Sequence, residues 1–374
     1  MPSNESPLRY GWTTGACATA AVKAACQALA TGQFPDPVTI HLPRGQAPAF
    51  ALAVHRLARG EATVGIVKDA GDDPDVTHGA LVLATVRALP AGEGIRFRAG
   101  KGVGTVTRPG LPVAVGEPAI NPAPRRMMCD AVAEVALGFG GPRDVEIEIA
   151  VEGGEQLAER TLNPRLGILG GLSILGTTGI VVPYSCAAWI HGIHNGVDVA
   201  RAAGLGHVAG ATGKTSEQAV LRHHGLPELA LIDMGDFVGG MLKYIRKHPV
   251  ARVTVAGGVA KMAKLAQGML DVHSKRGMVD LDALATLALA AGGTVALGDR
   301  IRASNTAAEA FGHAEADGVA LGDAVAQAAW RTAAAVLDDP AIVLDILLFD
   351  REGRLMGQTL PAPAHSPSRP LNRR

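Results

Sequence analysis

The stretch KDAGDDPDVTHG, from Lys68 to Gly79, places four aspartates and a histidine within twelve residues. Carboxylates and an imidazole so close in the chain can position a ligand or exchange protons with it. Asp69, Asp72, Asp73, Asp75 and His78 are therefore the candidate catalytic groups. The other reading is a polar turn after the strand ATVGIV. A calcium loop is not spelled, because no start gives a glycine at the sixth place and a glutamate at the twelfth. The glycine and the Asp73-Pro74 step imply a loop of one defined shape.

A second stretch, GHVAGATGKTSE, ends like a P-loop. That pattern needs a glycine five residues before Gly213, where Val208 stands, and the mismatch excludes a nucleoside triphosphatase. HVAGAT reads as a strand, and Thr215 with Gln218 reads as a capping box that starts a helix. The N–H groups of that start, with Gly210, Gly213 and Lys214, suit a carboxylate or phosphate; a tight βα turn with a solvated lysine is the alternative. GILGGLSILGTTGIVVP, Gly167 to Pro183, has five glycines and no charge. Gly167, Gly170 and Gly171 there would let backbone approach a ligand, or would form a loop between domains. No G-x-G-x-x-G is present. DVHSKRG offers His273, Ser274 and Lys275 to an anion, and PAPRRMM offers Arg125 and Arg126 as carboxylate clamps; each also reads as solvated surface. His191 and His194 in HGIHNG are too little for a metal site, and none is assigned.

The elements that must position these residues come in two rhythms. An Ala-rich helix, Thr13 to Ala30, precedes a series of short strands, a helix over 125–137 and the alternating strand Val145–Val151. This reads as an α+β domain over 1–155. Strand–helix alternation then reads as an α/β domain over 156–360, Rossmann-like with a mostly parallel open sheet, followed by a disordered tail, 361–374. Four runs carry that alternation: GIVVPYS, HVAGAT, LALIDMG and RVTVAGG. A terminal hairpin, IVLDILLFD to RLMGQ, closes the series. Lys plus Arg is 35 and Asp plus Glu is 35, so a general nucleic-acid binder is excluded and anions must meet local cations. No signal peptide and no run of about 18 apolar residues is read. The four cysteines pair in no C-x-x-C and read as buried free thiols of a reducing cytoplasm.

Taken in order, YGWTTGACATAAVKAA, VKDAGDDPDVTHGA, GEPAINPAPRRM, GILGGLSILGTTGIVVP and GGVAKMAKLAQGMLDVHSK closely resemble the CbiD family. These are the cobalt-precorrin-5B carbon-1 methyltransferases of cobalamin biosynthesis. The likeness runs from about Arg9 to about Gly357. It implies a cytoplasmic enzyme that moves a methyl group from S-adenosylmethionine (SAM), its co-substrate, to a corrinoid, metallated or metal-free. It implies a SAM site at Gly167, Gly170, Gly171, Thr177, Thr178, Gly210 and Gly213. Thr13, Thr14, Arg125, Arg126, Lys214, His273, Ser274 and Lys275 are implied substrate contacts. Homo-oligomers and transient contact with neighbouring pathway enzymes are compatible with this; membrane and nucleic acid are not implied. A pyridine-nucleotide reductase and a non-catalytic corrinoid carrier are the competing readings.

Overall fold

The computed structural model describes residues 7–359; the tail expected at 361–374 lies outside them. The chain is mixed α/β and divides into two compact units between Ala188 and Trp189. The polar break at 152–156 lies inside the first unit. Hydrogen bonding explains this. Ile168–Leu169 pairs with Thr105–Val106, Gly171–Leu172 with Gly102–Val103, and Ile180–Val181 with Gly11–Trp12. GIVVPYS thus contributes a two-residue ladder to the first unit and no strand to a parallel sheet.

In the first unit, α1 (Thr14–Thr31) starts one residue later than expected because Thr13 is its N-cap, its Oγ1 accepting from Ala16 N at 3.1 Å. The helix is buried without interruption from Thr14 to Cys26, as an all-round small and apolar surface requires. It packs on a five-stranded sheet of β1 (Val54–Ala58), β2 (Glu61–Val67), β3 (Leu81–Ala88), β4 (Ile95–Ala99) and β5 (Val145–Val151). The helix α2 (Pro122–Phe139) covers α1 from another side, and Lys23 Nζ donates to Glu134 Oε1 at 2.6 Å between them. Strand order is β1-β2-β3-β5-β4, antiparallel except where β5 runs parallel to β4. In β5, Val145, Ile147, Ile149 and Val151 are buried, and the residues between them face outward.

The second unit has a sheet ordered β7-β6-β8-β9-β10, from β6 (His207–Ala211), β7 (Leu231–Asp233), β8 (Arg252–Gly258), β9 (Val343–Phe349) and β10 (Leu355–Gln358). The first four strands are parallel and β10 returns antiparallel. Helices α3 (Cys186–Ala202), α4 (Lys214–His224), α5 (Val238–Lys247) and α6 (Val259–Ala266) alternate with the strands; α7 to α10 span Leu281–Ala290, Val295–Arg302, Ala307–Ala316 and Leu321–Leu337. The strand of the terminal hairpin, β9, takes the parallel place that GIVVPYS was expected to fill. Among the described residues no helix is long and apolar enough to cross a membrane. Cys17 and Cys26 are buried free thiols as expected, but Cys129 is half-buried and Cys186 exposed.

The segment 167–172 is fixed by close backbone contact. A Cβ on Gly171 would lie 2.3 Å from the Gly102 carbonyl carbon, whereas one on Gly170 would meet open space. Gly171→Ala should therefore lose about 3 kcal/mol of stability as overpacking against immovable backbone. Gly170→Ala, at φ +86°, should lose only about 1–2 kcal/mol of left-handed strain. Urea unfolding of the two variants checks the ranking, and the reverse order would refute it.

Candidate active site

The acidic stretch is a built loop. Lys68 at the end of β2 is buried, and its Nζ donates to Asp75 Oδ2 at 2.6 Å. Asp75 Oδ1 accepts from the Thr77 amide at 2.8 Å and the Thr77 hydroxyl at 2.6 Å. Burial opposes the charged form of Asp75, but Lys68 and Thr77 outweigh it and hold its pKa below the ordinary value. Asp69 receives the Arg9 guanidinium through both oxygens and the Gly71 amide at 2.9 Å, and its pKa is also lowered, chiefly by the Arg9 hydrogen bond. Asp72 Oδ2 accepts from Arg9 N at 2.6 Å, and Asp73 Oδ1 from Tyr184 N at 2.8 Å. Tyr184 sits at φ 56°, a strained conformation for a side chain of its size. His78 Nδ1 accepts from Ala70 N at 3.1 Å, so the neutral ring carries its proton on Nε2.

An open cavity of about 420 Å³ is lined by Gly71, Asp72, Asp73, Pro74, Asp75, Val76, His78 and Arg160. Four of the five candidate catalytic residues thus share one hollow, while Asp69 stands behind it as an anchor. Their roles separate. Asp75 and Asp69 have both oxygens engaged and hold the loop; Asp72, Asp73 and His78 each retain a polar atom for a ligand. Sequence reading missed Lys68, Arg9 and Arg160. A lysine directly before a run of aspartates was a signal for the first.

The threonines and most glycines of the other stretches serve the fold. Thr13 and Thr14 are buried, Thr13 Oγ1 as the α1 cap and Thr14 Oγ1 against Leu175 N at 3.1 Å. The two T-T-G sequences meet, since Thr13 N donates to Gly179 O at 3.0 Å. Thr178 Oγ1 lies 3.3 Å from Ile180 N, and Thr177 is exposed. Gly167 abuts Arg108 and Gly210 abuts Met241 and Met234, so both are explained by packing. Arg125 folds onto its own turn, donating to Ile120 O at 2.8 Å, Pro118 O at 3.0 Å and Glu117 at 3.1 Å; Arg126 is exposed. His194 stacks on Tyr244 with ring centroids 3.9 Å apart.

In the second unit, strand order reverses between β6 and β8, and ligands of such sheets bind beyond the carboxyl ends there. Gly213, not Thr215, is the N-cap of α4: the helix already begins at Lys214, and no side chain caps it. Gly213 faces open space and Lys214 is exposed. Lys261 on α6 donates to Thr212 O at 2.7 Å and lies 2.8 Å from Asp236 Oδ1, joining the ends of β6, β7 and β8. Buried Lys264 reaches the carbonyls of Val272 and His273, at 3.4 and 3.3 Å, and so holds the loop that presents exposed His273, Ser274 and Lys275. Lys261 and Lys264 were missed, although their spacing puts both on one face of a helix that follows Gly257-Gly258.

The buried ion pair generates two expectations. Asp75→Ala strands a buried ammonium and should cost about 3–5 kcal/mol, whereas Lys68→Met leaves a carboxylate that is 25% exposed and should cost less. Since folding lowers the Asp75 pKa, its contribution is complete above the unfolded value of about 3.9 and is lost as pH falls through the lower folded one. Urea unfolding between about pH 6 and about pH 3 should show the advantage of wild type over Asp75→Asn shrinking at the acid end. A pH-independent difference would remove the charge from this account.

Comparison with known proteins agrees with the motif order. The family model described as CbiD matches residues 1–183, and that described as CbiD, C-terminal domain, matches residues 271–360. The chain is 62% identical to the cobalt-precorrin-5B C(1)-methyltransferase of Agrobacterium fabrum over 98% of its own length and 97% of the relative's. It is equally similar, over the same shares, to that of Bradyrhizobium sp.. A crystal structure of the cobalamin biosynthesis protein cbiD from Archaeoglobus fulgidus aligns with TM-score 0.38 and 23% identity, over 84% of this chain and 86% of that one.

Proposed function

The chain belongs to the CbiD family, and on that premise we propose that it transfers a methyl group from SAM to carbon 1 of cobalt-precorrin-5B, giving cobalt-precorrin-6A. The observation that carries this is the 62% identity over nearly the whole of both chains. The sites have the chemistry the reaction needs. SAM carries a sulfonium and an ammonium, and a cavity walled by Asp72 and Asp73 attracts both while Arg160 meets the carboxylate. Tyr10, Val182 and Tyr184, exposed on segments that touch this loop, offer apolar surface to a flat ring. Exposed Lys214 and Lys275 of the second unit, with the uncapped start of α4, suit a carboxylate by themselves. The parallel sheet and its reversal of strand order support a Rossmann-like reading of that unit.

The sulfonium already makes the methyl carbon electrophilic, so no enzyme nucleophile is required. The ring carbon supplies the bonding pair and the C–S pair stays on sulfur. The protein's task is alignment, with a base to take the proton that the ring system releases. Asp72 or Asp73, each with one oxygen free at the cavity, is that base in this reading, while His78, its Nδ1 fixed by Ala70 N, presents its Nε2–H as a donor.

Mass spectrometry of the ring product after incubation with cobalt-precorrin-5B and isotope-labelled SAM tests the reaction. The ring should gain one labelled methyl group, and a protein that binds the ring without SAM-dependent change would be a carrier instead. Asp72→Asn with Asp73→Asn should weaken S-adenosylhomocysteine binding at least tenfold by calorimetry. His78→Phe, which removes the Nε2–H donor, should lower kcat at least tenfold with that affinity unchanged.

A further inference from the structure

The sheet of the second unit is polar at its amino ends on the face that α4 covers. His207 of β6 is in register with Arg252 of β8, and Thr254 of β8 with Asp345 of β9. Residues in register on neighbouring strands share a face, as do residues two apart along a strand. Further along that face the same alternation brings up Ala209, Ala211, Ala256, Leu347 and Phe349, packed with Ala219 and Val220 of α4. The apolar layer therefore stops short of the amino ends. His224, the last residue of α4, is brought there by the helix running back over the strands.

One nitrogen from each imidazole and one Asp345 oxygen lie within 4.8 Å of one another. At the centre is the hydroxyl of fully buried Thr254, 2.8 Å from His207 Nε2, 3.2 Å from His224 Nε2 and 3.4 Å from Asp345 Oδ2. A hydroxyl gives one proton and accepts two hydrogen bonds, so it gathers the three groups and brings their ligating atoms to one point. We propose that His207, His224 and Asp345 form a site for a divalent transition metal of the kind zinc exemplifies, joining the amino ends of β6 and β9, across β8, to the end of α4.

The donor set is right for such an ion: two imidazoles and a carboxylate, with room left for water. Donors around one tetrahedral zinc lie roughly 3.3 Å apart, a closure within reach of ring rotation for two half-buried histidines. Asp345 has its outer partner in place, since Arg252 Nε donates to Oδ2 at 2.5 Å and leaves the other oxygen to bind. The carbonyl end of α4 favours a cation where His224 sits. These ligands are scattered at positions 207, 224 and 345, which is why no motif announces them.

The test uses full-length protein stripped with EDTA, incubated with zinc sulfate, desalted and analysed by inductively coupled plasma mass spectrometry. Wild type should retain one zinc per chain, and its melting temperature should rise with added zinc. His207→Ala and His224→Ala should each retain less than a tenth as much, with the melting temperature of zinc-free wild type. Failure of wild type to retain zinc overturns the site, as does retention by both variants, which would place the ion elsewhere. Should the alanine variants misfold, histidine-ring NMR of wild type decides. Zinc-induced shifts confined to His207 and His224 support the site, and shifts only at other histidines refute it.

Discussion

The first unit depends on one close passage of backbone. Gly11 runs so near the acidic loop that a Cβ there would lie 2.0 Å from the Ala70 carbonyl carbon. Around it Trp12 N donates to Asp69 O at 2.7 Å, Asp72 N to Arg9 O at 3.0 Å, and Thr13 N to Gly179 O at 3.0 Å. Gly11 also pairs with Val181. Five residues, Arg9 to Thr13, thereby clamp the acidic loop on one side and the glycine-rich segment on the other, then cap α1. The loop's carboxylates are placed by this clamp and by the buried Lys68–Asp75 pair. Its two free-facing aspartates and His78 inherit the rigidity of the buried helix α1.

The second unit achieves positioning differently, by the polarity of parallel strands. The carboxyl ends of the four parallel strands collect at one edge, where Lys261 ties Thr212 to Asp236 and Lys264 holds the 272–273 carbonyls. Their amino ends collect at the other, with the histidine cluster. Between them the sheet is apolar on both faces. Chemistry is confined to the two edges because only there can polar groups reach water or each other without breaking the core.

Element types were legible where the sequence carries a period and a stop. Val145–Val151 alternates cleanly, α1 is a run of good helix formers after Thr13, and β6, β7 and β8 each end at a turn before a helix. Partners were not legible. GIVVPYS has strand composition, yet its partner is Gly11–Trp12, more than a hundred residues earlier. Thr215 and Gln218 spell a capping box that loses to Gly213, whose extended backbone already lets the helix begin at Lys214. Glycines were the hardest to interpret, because a ligand and a neighbouring backbone both demand a missing Cβ. Gly171 answers to Gly102 and Gly210 to two methionines, while Gly170 and Gly213 stay open. The acidic loop was found because its residues are contiguous; its cation, Arg160, comes from a turn far along the chain.

A net charge of zero conceals a division of labour among the cations. Lys23, Lys68 and Lys264 are buried and spend their charge on the fold, neutralising a glutamate, an aspartate and two carbonyls. Lys214 and Lys275 are exposed on loops that the sheet projects, where charge can be spent on a ligand. In the proposed reading, the aspartates of the acidic hollow attract the sulfonium of the co-substrate. Since methyl transfer neutralises the sulfonium, carboxylates that bind it strongly also favour the reactant over the transition state. That penalty is kept small if the carboxylates grip the distant ammonium and ribose hydroxyls more than the sulfur. Two aspartates, each with one oxygen already committed and both lining an open hollow, are suited to that moderate grip.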